Sequence, residues 1–204
     1  PALLIEPPFT QNIGHPLSSI TETREKLKNI QKPYLIFEGK TDNKLFSLAY
    51  EILYGNSIDT DFILCEHLTA VNGSAIGSGA SFINQFMLNH ISKTPTNNTV
   101  IGIFDYDTTG FNEIAALRKQ FNQKDKEIDK FLLYQHNTKK NIFVMTLVTP
   151  FHRDKFTNKT KADYCFLSTE LLLEDKVIPV ANKKFPTPFD ETVFSFTGDK
   201  TSFA

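Results

Sequence analysis

Two aspartates end a short apolar run in the middle of the chain. The run Val100-Ile-Gly-Ile-Phe104 stops at Asp105 and Asp107, and Gly110 follows. A short apolar run bounded by turn residues favours a strand buried on both faces of an α/β sheet. Because side chains at i and i+2 lie on the same side of a strand, both carboxylates would project from its carboxyl end. Such a pair favours a hard divalent cation such as Mg²⁺, and a metal-free acidic turn is the alternative.

A second acidic pair follows another apolar run, Tyr34-Leu-Ile-Phe37, in the segment Glu38-Gly-Lys-Thr-Asp42. The glycine suits a tight turn from strand to helix. An amphipathic helix over residues 43–54 is predicted from apolar residues at helical spacing, namely Leu45, Leu48, Ala49 and Ile52. Glu38 would lie at the carboxyl end of the strand and Asp42 in the first turn of the helix. Both can face one site, although the helix dipole alone also explains Asp42.

The composition bounds the class of protein. The chain has 204 residues, a net charge of −1 and 40% hydrophobic residues, which suits one domain with an extension. The near-neutral charge excludes a strongly basic, nonspecific polyanion binder. Cys65 and Cys165 lie far apart without paired spacing, which argues against structural zinc and favours a reducing, cytoplasmic setting. No apolar segment approaches the roughly 20 residues of a membrane span. The first residue is Pro1, and we expect a fragment of a longer protein.

Strand and helix patterns alternate along the first three quarters of the chain, and this alternation predicts a mostly parallel sheet flanked by helices, an α/β fold. The other predicted helices are residues 18–28, 81–91 and 111–121, and the other strands are 61–65, 131–134 and 142–148. The last two strands would form an antiparallel or edge pair. The resulting divisions are a lead-in and helix over residues 1–32, a core over 33–148 and a helical or irregular extension over 149–204.

Two loops have alternative interpretations. The small-residue loop 72–80 could offer backbone N–H groups to a phosphate, but it lacks the lysine of a Walker A motif, and a flexible connection is favoured. The basic segment 149–163 could contact nucleic acid, whereas a solvated loop is the simpler interpretation. The helix predicted to begin near Phe166 could be capped by Ser168, which would place Glu170 in its first turn without any metal.

The order of the acidic motifs resembles the Toprim domain, the catalytic unit shared by topoisomerases, bacterial primases, small ribonucleases and the OLD-family (overcoming lysogenization defect) nucleases. A strand is followed by Glu38-Gly-x-x-Asp42 and a helix, and a later strand by Asp105-x-Asp107-x-x-Gly110 and a helix. The resemblance covers residues 33–148 and implies a Toprim-like, Rossmann-like fold.

The extension is most similar to the OLD-family nucleases. Ser168-Thr-Glu170 precedes a leucine-rich run, and Lys200 lies near the end of the chain. The resemblance implies that Glu170 is a further metal ligand and that Lys200 is a cation that stabilises the transition state. In these nucleases the Toprim unit often follows an ABC-type ATPase; because this sequence has no Walker A motif, such a module would lie upstream, on a partner chain, or nowhere.

The resemblance implies a Mg²⁺- or Mn²⁺-dependent endonuclease that hydrolyses phosphodiester bonds, DNA being favoured over RNA, with two metal ions. The metal ligands would be Glu38, Asp42, Asp105, Asp107 and Glu170, and the catalytic residues would be Glu38, Asp105, Asp107 and Lys200. The alternatives are a noncatalytic Toprim scaffold that binds nucleic acid or protein, and the Toprim unit of a primase or topoisomerase. A receiver-like doubly wound domain is a further alternative, and a homo-oligomer is compatible with all of them.

Overall fold

The computed structural model describes residues 16–29, 31–66, 68–69, 75–124, 130–184, 187 and 190–198. Within them the α-helices are α1 (Pro16–Asn29), α2 (Lys40–Tyr54), α3 (Ala80–Asn89) and α4 (Thr108–Ala116). The strands are β1 (Tyr34–Ile36), β2 (Ile63–Leu64), β3 (Leu68–Thr69), β4 (Ala75–Ile76), β5 (Val100–Phe104), β6 (Tyr106–Asp107), β7 (Phe121–Gln123), β8 (Leu133–His136), β9 (Ile142–Thr146), β10 (Phe166–Leu167), β11 (Lys183–Lys184) and β12 (Ser195–Phe196). None of the helices in these residues combines the length with the apolar character that a bilayer crossing requires.

Six strands form the main sheet, in the order β2-β1-β5-β9-β8-β7. The pairs β2–β1, β1–β5 and β5–β9 are parallel, whereas β8 runs antiparallel to both β9 and β7. The predicted α/β class with a mostly parallel sheet flanked by helices is therefore confirmed. Because β1 and β5 are parallel neighbours, their carboxyl ends meet at one edge of the sheet.

The central strand β5 is packed as its apolar sequence predicts. Val100, Gly102 and Phe104 are buried, and the two isoleucines between them are half-buried. Gly102 allows α3 to lie close, because a Cβ at this position would come within 2.9 Å of the side chain of Ile83. A larger residue at position 102 would therefore push α3 away from the middle of β5.

The apolar face predicted for α2 is largely exposed. The helix itself is confirmed, but Leu48 is 51% and Ile52 73% exposed. Contact with the sheet is made near the start of the helix, where the rings of Phe46 and Phe37 lie 4.4 Å apart. A helix of 15 residues extends for about 22 Å, whereas β1, with 3 residues, spans only about 10 Å. The second half of α2 therefore passes beyond the strand below it.

Two element boundaries differ from the predictions. The helix predicted over residues 111–121 begins at Thr108, because Asp107 caps its first turn, and it ends at Ala116. Phe121 then begins β7, which pairs with β8 at the edge of the sheet. The predicted pairing of the two strands around the turn at residues 137–141 is confirmed, since β8 and β9 are antiparallel.

The extension after residue 149 is made of short turns and strand pairs. Its strand β10 pairs antiparallel with β6, so that it returns to the end of β5, and β11 pairs with β12. The helix predicted from Phe166 is instead β10 followed by a 3₁₀ turn, Thr169–Leu172. The predicted solvated loop 149–163 contains a 3₁₀ helix, Phe151–Phe156, in which Arg153 is buried.

A candidate acidic site at the sheet edge

The two acidic motifs meet where β1 and β5 end. The backbone N–H of Asp105 donates a hydrogen bond to Glu38 Oε1 over 2.9 Å. After β1 the chain continues to β2 on one side of this strand pair, and after β5 it continues to β7, β8 and β9 on the other side. This divergence is a topological switch point, the position at which open α/β sheets bind ligands. The predicted convergence of these acidic residues on one edge therefore holds for Glu38 and Asp105.

The extension completes this edge through Thr169. Both the N–H and the hydroxyl of Thr169 donate to Asp105 Oδ1, each over 3.1 Å. Asp105 is 7% and Thr169 is 4% exposed, so these hydrogen bonds are largely screened from water. Since a carboxylate held by two donors keeps one orientation, Thr169 fixes the direction in which Asp105 points.

Glu170 follows Thr169 and is fully buried, with 0% exposure. Its segment reaches the site because β10 pairs with β6, which carries Asp107. Ser168 precedes the 3₁₀ turn but makes no side-chain capping hydrogen bond, so the capping explanation predicted for this segment is wrong. A buried carboxylate is costly unless it is compensated, and Glu170 directly follows the residue that holds the buried Asp105.

Asp107 and Asp42 each cap a helix. Asp107 Oδ1 accepts the N–H of Gly110 over 2.8 Å at the start of α4. Asp42 Oδ2 accepts the N–H of Gly39 over 2.8 Å, within a capping box at the start of α2. This contact gives one oxygen of the buried Asp42 a partner within the protein, and it fixes the turn that presents Glu38.

The donor set suits a hard cation in its chemistry, because it consists of carboxylate oxygens. The described residues nevertheless contain no group of three His, Cys, Asp or Glu side chains arranged to hold a metal ion. Oxygens of Asp105 and Asp107 accept N–H or O–H groups of the protein instead. Each carboxylate has a second oxygen and further lone pairs, so these hydrogen bonds do not by themselves prevent the ligation of a cation. Lys200 lies outside the described residues, so its predicted role stays a prediction.

Gly110 is required by the close approach of α4 to the end of β5. A Cβ at this position would overlap the backbone carbonyl oxygen of Asp105. We expect Gly110→Ala to destabilise the fold by about 1–3 kcal/mol, because the helix must shift away from the strand. Urea unfolding measures this loss, with Ala115→Gly, a half-buried position on the same helix, as a comparison for propensity alone. An unchanged unfolding midpoint in Gly110→Ala would contradict the close approach.

Cys165 packs beneath the same edge, where it donates to Asn158 O over 3.1 Å. Burial, with a smaller contribution from the charge of Asp107, raises the pKa of its thiol from 9.0 to about 11. A pKa that is about two units higher leaves roughly a hundredfold less thiolate near pH 8 than in the unfolded chain. We therefore expect slow alkylation in the native state and fast alkylation in urea. The raised pKa also stabilises the folded state fully below pH 9, and this contribution is lost as the pH rises through about 11. Equal alkylation rates in the native and unfolded states would contradict the burial.

Two residues of this region were missed by the sequence interpretation. Thr169 carries no motif signal, since a threonine between a serine and a glutamate reads as a helix start. Arg153 lies in a basic segment whose composition suggests solvent, yet it is 2% exposed and donates to the carbonyl oxygens of Leu171 and Leu173. It therefore anchors the chain directly after Glu170. An isolated arginine among aromatic residues is a weak signal for such a role.

Comparisons of the chain with protein-family models, with curated proteins and with solved structures gave no match. The fold and the site define the class of the molecule: an α/β protein with a mostly parallel sheet, in which acidic side chains gather at the switch point.

Proposed function

We propose that this chain is a metal-dependent phosphodiesterase of the Toprim type, an endonuclease resembling the OLD family that acts on nucleic acid, with DNA as the favoured substrate. The hydrogen bond from Asp105 N to Glu38 Oε1 carries this proposal, because it brings the Glu-Gly and Asp-x-Asp motifs into direct contact. Two independently weak motifs that share one sheet edge support a common site far better than either does alone.

The proposed roles follow from position. Glu38, Asp105 and Asp107 would hold Mg²⁺ or Mn²⁺ at the sheet edge, and the buried Glu170 would add a ligand from the extension. A pair of such ions, when bound, supplies charge neutralisation at the attacking and leaving oxygens of a phosphodiester. Asp42 was predicted as a ligand, and its capping contact supports a role in fixing the turn that carries Glu38. Lys200 remains the proposed cation for the developing charge.

A noncatalytic scaffold that binds nucleic acid or protein is the second candidate. It is favoured by one observation: in the described residues the carboxylates do not form a three-ligand group, and two of them cap helices. In a scaffold, Asp42 and Asp107 would only stabilise the first turns of α2 and α4. The two candidates differ in whether a divalent cation stabilises the protein.

Plasmid cleavage and thermal unfolding, each with Mg²⁺, Mn²⁺ or EDTA, separate these candidates. An ion at a hundred times its Kd adds about 2.7 kcal/mol of stability, which corresponds to roughly 5–11 °C for a chain of this size. We expect this rise in Tm and metal-dependent cleavage in the wild type, and neither in Glu38→Gln. Absence of both effects in the wild type would reject the phosphodiesterase, and DNA binding without them would establish the scaffold.

Thr169 provides a test of how Asp105 is oriented. Thr169→Val removes the hydroxyl but keeps the shape and the backbone N–H, so Asp105 loses one of the two donors that Thr169 provides. We expect about 10-fold to 100-fold lower cleavage, the usual effect of removing a residue that orients a metal ligand. Thr169→Ser retains the hydroxyl and should restore most of the activity. Equal cleavage by the valine and serine variants would contradict the orienting role.

A further inference from the structure

The outward face of α2 is apolar and open to solvent. The inner face of this helix packs on the protein at Phe46, whose ring lies 4.4 Å from that of Phe37. It also packs at Tyr50, whose ring lies 6.0 Å from that of Phe62. Leu48 lies between these two positions in the sequence and, at about 100° per residue, points to the opposite side of the helix. Its side chain is 51% exposed there.

The last turn of α2 is apolar on every side. Ile52, Leu53 and Tyr54 are 73%, 75% and 64% exposed. Successive residues point about 100° apart, so these three side chains surround the helix axis. A helix that is hydrophobic all round is normally buried, and a large exposed apolar patch marks an interaction surface. We therefore expect a partner at this end of the helix.

The outward residues have the spacing of a two-helix coiled coil. Successive intervals of four, three and four residues, the a and d pattern of a heptad, separate Thr41, Leu45, Leu48 and Ile52. These four residues are called the α2 seam below. Its first two members are half-buried and its last two are exposed. Since packing on the sheet already holds α2 in helical form, pairing along this short seam does not bear the cost of nucleating a helix.

The charges beside the α2 seam are complementary to a second copy of the same helix. Lys44 and Glu51 are exposed, and each lies directly before an a residue of the seam, in the g position of the heptad. In an antiparallel pair of identical helices the g positions face each other. Lys44 of each copy then meets Glu51 of the other, once on each side of the twofold axis. A parallel pair would instead place Lys44 near Ala49 of the second copy, where no ion pair can form.

One antiparallel register buries the whole seam. It places Leu45 of each copy opposite Leu48 of the other. The same register places Ile52 opposite Thr41 of the second copy. Ala49, on the other flank of the seam, is small and exposed, so the helix axes can approach to about 8–10 Å. Hydrophobic contact and charge pairing therefore favour the same arrangement.

We propose that two copies of this chain associate through α2, as an antiparallel helix pair whose core is the α2 seam. Burial of Leu48 and Ile52 supplies the affinity, and the ion pairs between Lys44 and Glu51 fix the orientation. Because one face of one helix is at the small end of stable interfaces, the dissociation constant is expected to be on the order of 1–100 µM. The inference is independent of the proposed function, since the carboxylates of the sheet edge are not part of the seam.

Sedimentation equilibrium of the full chain, at about 1–300 µM under reducing conditions, measures this association. The variant Leu48→Glu with Ile52→Glu should raise the dissociation constant roughly a hundredfold or more, because four carboxylates would be forced into one apolar contact. The matched control is Val177→Glu with Val180→Glu, which makes the same change at apolar residues that are 53% and 80% exposed. Circular dichroism verifies folding. A wild type that stays monomeric throughout this range would overturn the inference, as would a control variant that dissociates equally.

A charge exchange tests the antiparallel orientation with variants that leave the apolar seam intact. Lys44→Glu and Glu51→Lys should each weaken association roughly tenfold, because each change turns both ion pairs into like-charge contacts. An equimolar mixture of the two variants should associate as the wild type does, since one variant presents only acidic and the other only basic residues at these positions. The positions lie seven residues apart, about 10 Å along the helix, so this recovery cannot arise within one copy. A mixture that associates no better than either variant alone would overturn the antiparallel pair.

Discussion

Asp105→Asn is expected to lower metal-dependent cleavage by about 10²–10³-fold or more while leaving the protein folded. The asparagine keeps an oxygen that can accept from both donors of Thr169, so the hydrogen bonds at this buried position persist. It loses the negative charge that a hard cation requires. Because the retained hydrogen bonds are weaker to a neutral acceptor, stability should fall by only about 1 kcal/mol. Single-turnover cleavage and urea unfolding measure the two effects separately.

Glu113→Gln is the matched control for Asp105→Asn. Glu113 also accepts a hydrogen bond inside the protein, from the side chain of Asn84 on α3 over 2.7 Å, but it belongs to the second turn of α4. We expect this variant to keep its cleavage and its metal-induced rise in Tm. Asp105→Asn should lose both. If Asp105→Asn were as active as Glu113→Gln, the acidic edge would have only a structural role.

The parallel core of the fold was predictable because its strands are short apolar runs that end in polar residues. The runs ending at Phe37 and Phe104 form adjacent strands, as their sequence predicts. The outward orientation of α2 was not predictable, since periodicity shows that a helix has an apolar face but not whether a strand lies beneath it. Phe121 was assigned to a helix, although it lies in β7 and is 1% exposed. A single aromatic residue fits the period of a helix and the period of a strand equally well.

The candidate site was predictable only where its residues follow strands. Glu38 and Asp105 lie at the ends of apolar runs, and a parallel sheet necessarily brings such ends to one edge. Glu170 was expected from the family resemblance, whereas its approach depends on the pairing of β10 with β6, two strands of 2 residues each. Pairs this short carry no periodicity of their own. Thr169 and Arg153 act through contacts distant in sequence, which residue type and spacing do not encode.

Arg153→Met is expected to destabilise the protein by about 3–5 kcal/mol, the largest effect on stability among the variants considered, and to lower Tm by roughly 10 °C. Arg153 donates to Leu171 O over 2.8 Å and to Leu173 O over 2.7 Å, and it pairs with Asp175 over 2.5 Å. Its guanidinium carbon also lies 4.9 Å from the ring centroid of Phe156. Methionine fills part of the volume but leaves two backbone carbonyls without their donor, at about 1–3 kcal/mol each.

The destabilisation arises from the carbonyls rather than from the ion pair, and two further variants separate these causes. Asp175 is 62% exposed in its side chain, so Asp175→Asn loses a pair that water largely screens and should cost about 1 kcal/mol or less. Lys155→Met, on the same 3₁₀ helix, removes a lysine that is 68% exposed and should change stability by about 0.5 kcal/mol at most. Urea midpoints should therefore fall furthest in Arg153→Met. Because Leu171 follows Glu170, the same variant should also weaken cleavage under conditions where it remains folded. If the urea midpoints of Arg153→Met and Asp175→Asn coincided, Arg153 would act through its ion pair with Asp175 and not through support of the chain after Glu170.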